Sequence, residues 1–296
     1  MKKPVFTGAA VAIITPMHAD DSVNYEELGR IIEDQIAHQT DAIVICGTTG
    51  ESPALDHEEH TECIRYTVKK VAGRVPVIAG TGSNDTRYAI QLSQQAQEDG
   101  ADALLLVTPY YNKTSQAGLV AHYTAIANAV DLPCILYNVP SRTGCNLQPA
   151  TLAELAKLPN INAVKEASGN ISQVAEIAEL CGENLNIYSG NDDQIVPLMA
   201  LGGKGVISVL SNVAPQYTHD LCAKWLDGDT AGSLEMQLKA LPLCKALFAD
   251  VNPIPVKWAM NRLGWQAGAC RLPLVEPSAA VQERLETAMR DFGLLK

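Results

Sequence analysis

Short apolar runs recur along the chain, separated by longer stretches in which apolar and polar positions alternate with helical spacing. Eight of the runs, at residues 9–15, 42–46, 77–80, 103–107, 134–137, 161–165, 185–189 and 205–209, are too short for helices and almost wholly apolar. Strands covered on both faces have that composition. Between them lie amphipathic stripes: Leu28, Ile31, Ile32 and Ile36; Leu119, Tyr123, Ile126 and Val130; Val174, Ile177, Ala178 and Cys181. Asn24 and Glu27 stand where a cap and its N3 partner should precede the first stripe.

Strand and helix signals alternating eight times predict an α/β fold, a (β/α)8 TIM barrel, with a doubly wound sheet as the alternative. After the eighth run the pattern changes. Helix signals dominate from residue 214 to the end, broken at Pro242, at Asn252-Pro253-Ile254-Pro255 and near Pro273 and Pro277. The division expected is a catalytic barrel over residues 1–225 and a C-terminal helical appendix over 226–296. No repeat or Gly/Ser linker marks another break.

Composition narrows the function. The 296 residues are 47% hydrophobic and 19% charged, as in a globular domain. A net charge of -11 argues against nucleic acid, which needs a basic face. A single pocket can still hold an anion. No apolar run reaches the roughly 18–20 residues needed to cross a bilayer. Met1-Lys2-Lys3 followed by residues 5–14 resembles a signal peptide, but Thr7, Gly8 and Thr15-Pro16 favour a buried first strand. The eight cysteines, Cys46, Cys63, Cys134, Cys145, Cys181, Cys222, Cys244 and Cys270, form no C-x-x-C pair. They give little support to a metal or disulfide framework, and a reducing cytoplasm is expected.

In a barrel, chemistry belongs just beyond the C-terminal ends of the strands. Lys165 ends the sixth run and meets Glu166-Ala167-Ser168-Gly169-Asn170, small turn-forming residues. Desolvation at a pocket mouth would favour its neutral amine, which can attack a carbonyl and form a Schiff base. The competing reading is a lysine snorkelling to solvent. The second run leads into Gly47-Thr48-Thr49-Gly50-Glu51-Ser52, where backbone N–H groups and two hydroxyls could hold a carboxylate, or form an ordinary turn. The fourth leads into Thr108-Pro109-Tyr110-Tyr111-Asn112 and the fifth into Tyr137-Asn138-Val139-Pro140-Ser141-Arg142-Thr143-Gly144. Hydrogen-bonded phenols can pass protons, and a guanidinium fork suits a carboxylate. Together these groups suit imine chemistry on a 2-oxo acid. His57 and His60 lie three apart behind an Asp56/Glu59 capping box and could face one ligand, although surface histidines on a capped helix explain them as well. No H-E-x-x-H supports catalytic metal, and Gly202-Gly203-Lys204-Gly205 lacks dinucleotide-binding spacing.

These motifs, with Asn252-Pro253-Ile254-Pro255-Val256-Lys257-Trp258, make the chain resemble the class I, Schiff-base pyruvate-dependent aldolases and lyases over nearly its whole length. The resemblance implies condensation of pyruvate with L-aspartate 4-semialdehyde in the diaminopimelate route of lysine biosynthesis. It gives Lys165 the imine, and Tyr137, Thr48 and Tyr111 a proton relay, with Tyr111 reaching into a neighbouring subunit. Thr49, with Thr48, would bind the pyruvate carboxylate and Arg142 that of the semialdehyde, while Gly190 and Ile207 line the pocket. It further implies a homotetramer, a dimer of tight dimers, with no metal or organic cofactor beyond the imine on Lys165. N-acetylneuraminate lyases are the nearest alternative; they tend to carry serine at the position of Thr48 and lack the Pro-Ser-Arg-Thr-Gly run. A non-enzymatic alternative is a 2-oxo-acid or lysine sensor. Ser52, His57, His60, Asn84, Tyr88 and Tyr110 match the site at which lysine inhibits many relatives. Tyr88 departs from the pattern, since lysine-sensitive members typically carry a glutamate there, so weak lysine control is expected. Asn191 and Ser168, where aspartate and threonine are common, are candidates to tune the second substrate.

Overall fold

The apolar runs close on one another. In the computed structural model, which describes residues 2–296, eight parallel strands form a closed barrel in sequence order, β1 (Gly8–Ala12), β2 (Ala42–Ile45), β3 (Val77–Gly80), β4 (Ala103–Val107), β5 (Cys134–Asn138), β6 (Ile161–Glu166), β7 (Asn186–Ser189) and β8 (Gly205–Ser208). Met1 lies outside the described residues. Pairing of β1 with both β2 and β8 leaves no edge strand. The doubly wound alternative is therefore set aside.

Helices follow the strands: α1 (Tyr25–Ala37), α2 (His57–Val71), α3 (Thr86–Glu98), α4 (Gln116–Ala127), the short α5 (Pro140–Thr143) with α6 (Pro149–Leu155), α7 (Ile171–Cys181), α8 (Ile195–Ala200) and α9 (Pro215–Leu226). Three more, α10 (Thr230–Leu247), α11 (Ile254–Arg262) and α12 (Ala279–Phe292), form the C-terminal layer. Leu243, Leu247, Met260, Leu285 and Met289 of that layer share one buried cluster with Leu28 and Ile31 of α1. The appendix is thus continuous with the core around the barrel. No helix among the described residues is long and apolar enough to cross a membrane.

Two expectations change. Pro242 does not break the chain but sits inside α10. It is exposed, as is Leu238 one turn earlier, whose carbonyl loses its N–H partner. Water can satisfy that carbonyl, while buried Ala240, Leu243, Cys244 and Leu247 hold the opposite face of the helix. The capping box at α1 is only half made. Asn24 caps the Glu27 N–H at 3.0 Å. The Glu27 carboxylate turns away to accept from the Gln266 N–H at 2.6 Å and the Arg30 guanidinium at 2.7 Å. It tethers the C-terminal layer to α1 instead.

Candidate active site

The barrel interior is filled by alternate residues of each strand. Ala10, Ala12, Ala42, Val44, Ile78, Ala103, Leu105, Ile135, Ala163 and Ile207 make one buried inner cluster, with Tyr188 stacked on Phe6 at 4.3 Å. Two more inward positions at the C-terminal end carry Tyr137 and Lys165. Their strands are in register there, Tyr137 opposite Lys165.

Lys165 owes its inward direction to a bulge. Cys134 pairs with Ile161, but the next residue, Ile135, pairs with Ala163, so Asn162 is an extra residue in β6. Ile161 accordingly packs in the outer cluster while Ala163, two residues on, packs in the inner one. Without that insertion the alternation would turn Lys165 to the outside. Asn162 is held by donating to the Lys3 carbonyl at 2.9 Å and by accepting from the Asn186 amide at 3.3 Å.

Lys165 is 7% exposed, and its Nζ lies 4.3 Å from the centre of the Tyr137 ring. Burial brings its pKa down to about 8, the charge of Asp192 opposing this and that of Arg142 adding to it. At pH 7 about a tenth of the amine is then neutral, against well under a thousandth for an ordinary lysine. The snorkelling alternative fails, because the side chain folds inward over the Tyr137 ring and is almost wholly buried instead of extending along the surface. Burial raises the pKa of the Tyr137 phenol, with Arg142 and a hydrogen bond from Thr48 pulling the other way.

The loop after β2 is strained as well as glycine-rich. Cys46 and Glu51 both adopt left-handed backbone, at φ 56° and 55°. Gly80 on β3 makes that path possible, since a Cβ there would lie 2.2 Å from the Cys46 carbonyl oxygen. Thr48 and Tyr137 border a cavity of about 30 Å³ with Gly47, Ser52, Gly80, Gly82 and Val107, room for about one water-sized group. Thr49 is buried and accepts a hydrogen bond from the Asn252 side chain at 3.0 Å. Arg142 on α5 is exposed and donates to the Asn252 carbonyl at 3.3 Å. Gly190 packs on the lysine itself; a Cβ there would lie 3.1 Å from Lys165 Cε and 2.7 Å from Ala167 Cβ. Ile207 shares the inner cluster with Tyr137. A larger cavity of about 570 Å³ opens beside them, lined by Ser141, Ser168, Asn191, Asp192, Lys245 and Arg284 among others.

The fold therefore gathers Lys165, Tyr137, Thr48, Thr49, Arg142, Gly190 and Ile207 at one mouth. Tyr111 does not join them. It stands 91% exposed, at φ 68°, on the loop after β4.

Several buried groups around the mouth make contacts that the sequence does not announce. Asp192 accepts from the Val209 and Leu210 N–H groups at 3.0 and 2.9 Å, joining the ends of β7 and β8. Glu166 points away from the site and accepts from Asn138 at 2.9 Å and the Ser168 N–H at 2.7 Å. Glu51 forms a buried ion pair with Lys257 of α11 at 2.8 Å and accepts from the Arg271 N–H at 2.9 Å. Asn252 and Lys257 belong to the Asn-Pro-Ile-Pro-Val-Lys motif, but their contacts with Thr49 and Glu51 span more than 200 positions (203 and 206) and leave no local signal.

The capping box of α2 forms as expected, and Glu59 also pairs with Arg271. The two histidines differ. His57 is exposed, with Nδ1 3.5 Å from the Tyr88 hydroxyl. His60 is not a surface residue; it is 5% exposed, its Nε2 is 2.9 Å from the Gly80 carbonyl, and burial lowers its pKa. Asn84 donates to the Tyr110 carbonyl at 3.1 Å, and Ser52 begins the turn after the threonine loop. Among the described residues, no group of three or more His, Cys, Asp or Glu could hold a metal ion, and all eight cysteines are free.

Residues 5–291 match the model of the dihydrodipicolinate synthetase family. The chain belongs to that family. A 4-hydroxy-tetrahydrodipicolinate synthase from Lachnoclostridium phytofermentans is 59% identical, over 98% of this chain and 99% of the relative. A solved dihydrodipicolinate synthase from Acinetobacter baumannii, complexed with pyruvate, is 43% identical with a TM-score of 0.95, covering 98% of this chain and 99% of that one. Another, from Cyanidioschyzon merolae with lysine bound, is 40% identical with a TM-score of 0.96, covering 99% and 100%.

Proposed function

We propose that this family member is itself a 4-hydroxy-tetrahydrodipicolinate synthase, condensing pyruvate with L-aspartate 4-semialdehyde. The observation that carries the reading is the desolvated Lys165 amine over the Tyr137 ring, with Thr48 and Tyr137 bordering the same small cavity. The neutral amine attacks the pyruvate carbonyl carbon, and the oxygen departs as water, leaving an imine. A cationic imine would sit on the aromatic face, which favours it. Loss of a methyl proton then gives an enamine, whose carbon attacks the aldehyde. The aldehyde oxygen takes up a proton as the carbon–carbon bond forms.

Tyr137 and Thr48 carry these protons, and Thr48 and Thr49 hold the pyruvate carboxylate. Arg142, exposed beside the larger cavity, takes the semialdehyde carboxylate. Gly190 keeps room for the lysine stem, and Ile207 walls the pocket. The outward Tyr111 suits completion of the relay in a second copy, and we include a homotetrameric, cytoplasmic enzyme in the proposal. No metal or organic cofactor enters these steps; the substrate carbon is held by Lys165.

Pyruvate with borohydride should leave a stable adduct on Lys165, detectable by peptide mass. Turnover should follow with aspartate semialdehyde and not with N-acetylmannosamine. An adduct elsewhere, or equal activity of Lys165→Ala, would refute the mechanism.

A further inference from the structure

We infer that Asn252 is a positioning residue that commits the Thr49 hydroxyl to donating its proton to the carboxylate of the 2-oxo acid. This rests on the pyruvate reading given above. Asn252 lies in the link between α10 and α11, 5% exposed, and reaches Thr49 from the far end of the chain. Its Nδ2 donates to Thr49 Oγ1 at 3.0 Å. A threonine hydroxyl has one proton and two lone pairs. With one lone pair filled by the amide, the proton must point elsewhere, and among the described residues no acceptor takes it.

The Asn252 Oδ1 is buried without a partner. The opposite amide orientation would bury an unpaired NH₂ instead and consume the Thr49 proton, so it offers nothing to an anion. A buried, unpaired polar atom is costly, and it persists here next to the groups that meet substrate. The backbone of the same residue serves the other carboxylate position, its carbonyl accepting from Arg142 at 3.3 Å. Side chain and backbone of Asn252 therefore address different subsites, and a side-chain substitution separates them.

The test is steady-state kinetics of the full-length enzyme in its native assembly, comparing Asn252→Ala, Asn252→Asp and Thr49→Val. Asn252→Ala should raise KM for pyruvate about tenfold while KM for the semialdehyde stays within about twofold. Asn252→Asp is isosteric but can only accept; it draws the Thr49 proton away and should raise KM for pyruvate further. An Asn252→Ala enzyme with unchanged KM for pyruvate, beside a Thr49→Val enzyme with a raised one, overturns the inference alone. Unchanged KM in Thr49→Val overturns the carboxylate reading as well. A parallel loss of both KM values, kcat and thermal stability would make Asn252 a packing residue, and also overturns it. If the alanine variant does not fold, the aspartate variant carries the same comparison.

Discussion

Tyr137 and Lys165 face each other across β5 and β6, and the lysine Nζ lies 4.3 Å from the centre of the phenol ring. The ring and the hydroxyl have separable tasks. Tyr137→Phe keeps the aromatic face and the packing but removes the proposed proton carrier. Imine trapping should survive, while kcat falls roughly 10²–10⁴-fold. Loss of trapping itself would mean that the hydroxyl acts before the imine forms.

Adduct formation should depend on pH through the amine. Neutral Lys165 increases with pH until about 8, so the single-turnover rate should climb about tenfold per unit below that and level off above it. The neighbours that face the amine set the midpoint. Removing the carboxylate in Asp192→Asn takes away a raising influence and should shift the midpoint down. Arg142→Leu removes a lowering one and should shift it up. A midpoint near the ordinary lysine value would contradict the burial argument.

The same burial costs stability. The amine titrates at about 8 when folded and near 10.5 when unfolded. Below pH 8 both states carry the charge, and the folded state bears the full cost of burying it. The cost fades as pH rises from 8 to 10.5, where only the unfolded state still binds the proton. Lys165→Met should therefore be inactive yet more stable at pH 7, by up to about 3 kcal/mol at 1.36 kcal/mol per unit. Urea unfolding at pH 7 and pH 10.5 checks the sign, since the gain should shrink at the higher pH.

The barrel was legible because strands buried on both faces leave continuous apolar runs, and 77–80 and 103–107 match β3 and β4 at both ends. Lys165, the proposed nucleophile, could be picked out for the same reason, as a lysine at the end of such a run. Its direction was not, because it depends on a bulge at Asn162 that looks like any other position in the strand. Pro242 misled because a proline on an exposed helix face is tolerated when the buried face holds. The contacts of Asn252, Lys257 and Asp192 stayed hidden because their partners lie far away in the chain or on another strand.

The C-terminal layer should prove essential to the threonine loop. Glu51 and Lys257 are almost wholly buried, and each needs the other. Lys257→Met leaves a carboxylate unpaired and should cost about 3–5 kcal/mol, as should Glu51→Gln, which strands the ammonium. The double variant should lose clearly less than the sum of the two. Additive losses in a urea double-mutant cycle would show that the pair does not act as a unit.

Lysine should inhibit weakly or not at all. A free lysine bound near Ser52, His57, Asn84 and Tyr110 would bring an α-ammonium, and Tyr88 offers it a phenol in place of a carboxylate. That phenol already lies 3.5 Å from His57, and burial raises its pKa, so it stays neutral near pH 7. A hydrogen bond to a charged group contributes roughly 1.5–3 kcal/mol, so restoring the charge with Tyr88→Glu should tighten lysine binding by about tenfold to a hundredfold. The comparison is the half-inhibitory lysine concentration of the two proteins at saturating pyruvate. Sub-millimolar inhibition of the unaltered enzyme, kept in Tyr88→Phe, would show that a carboxylate at position 88 is not needed.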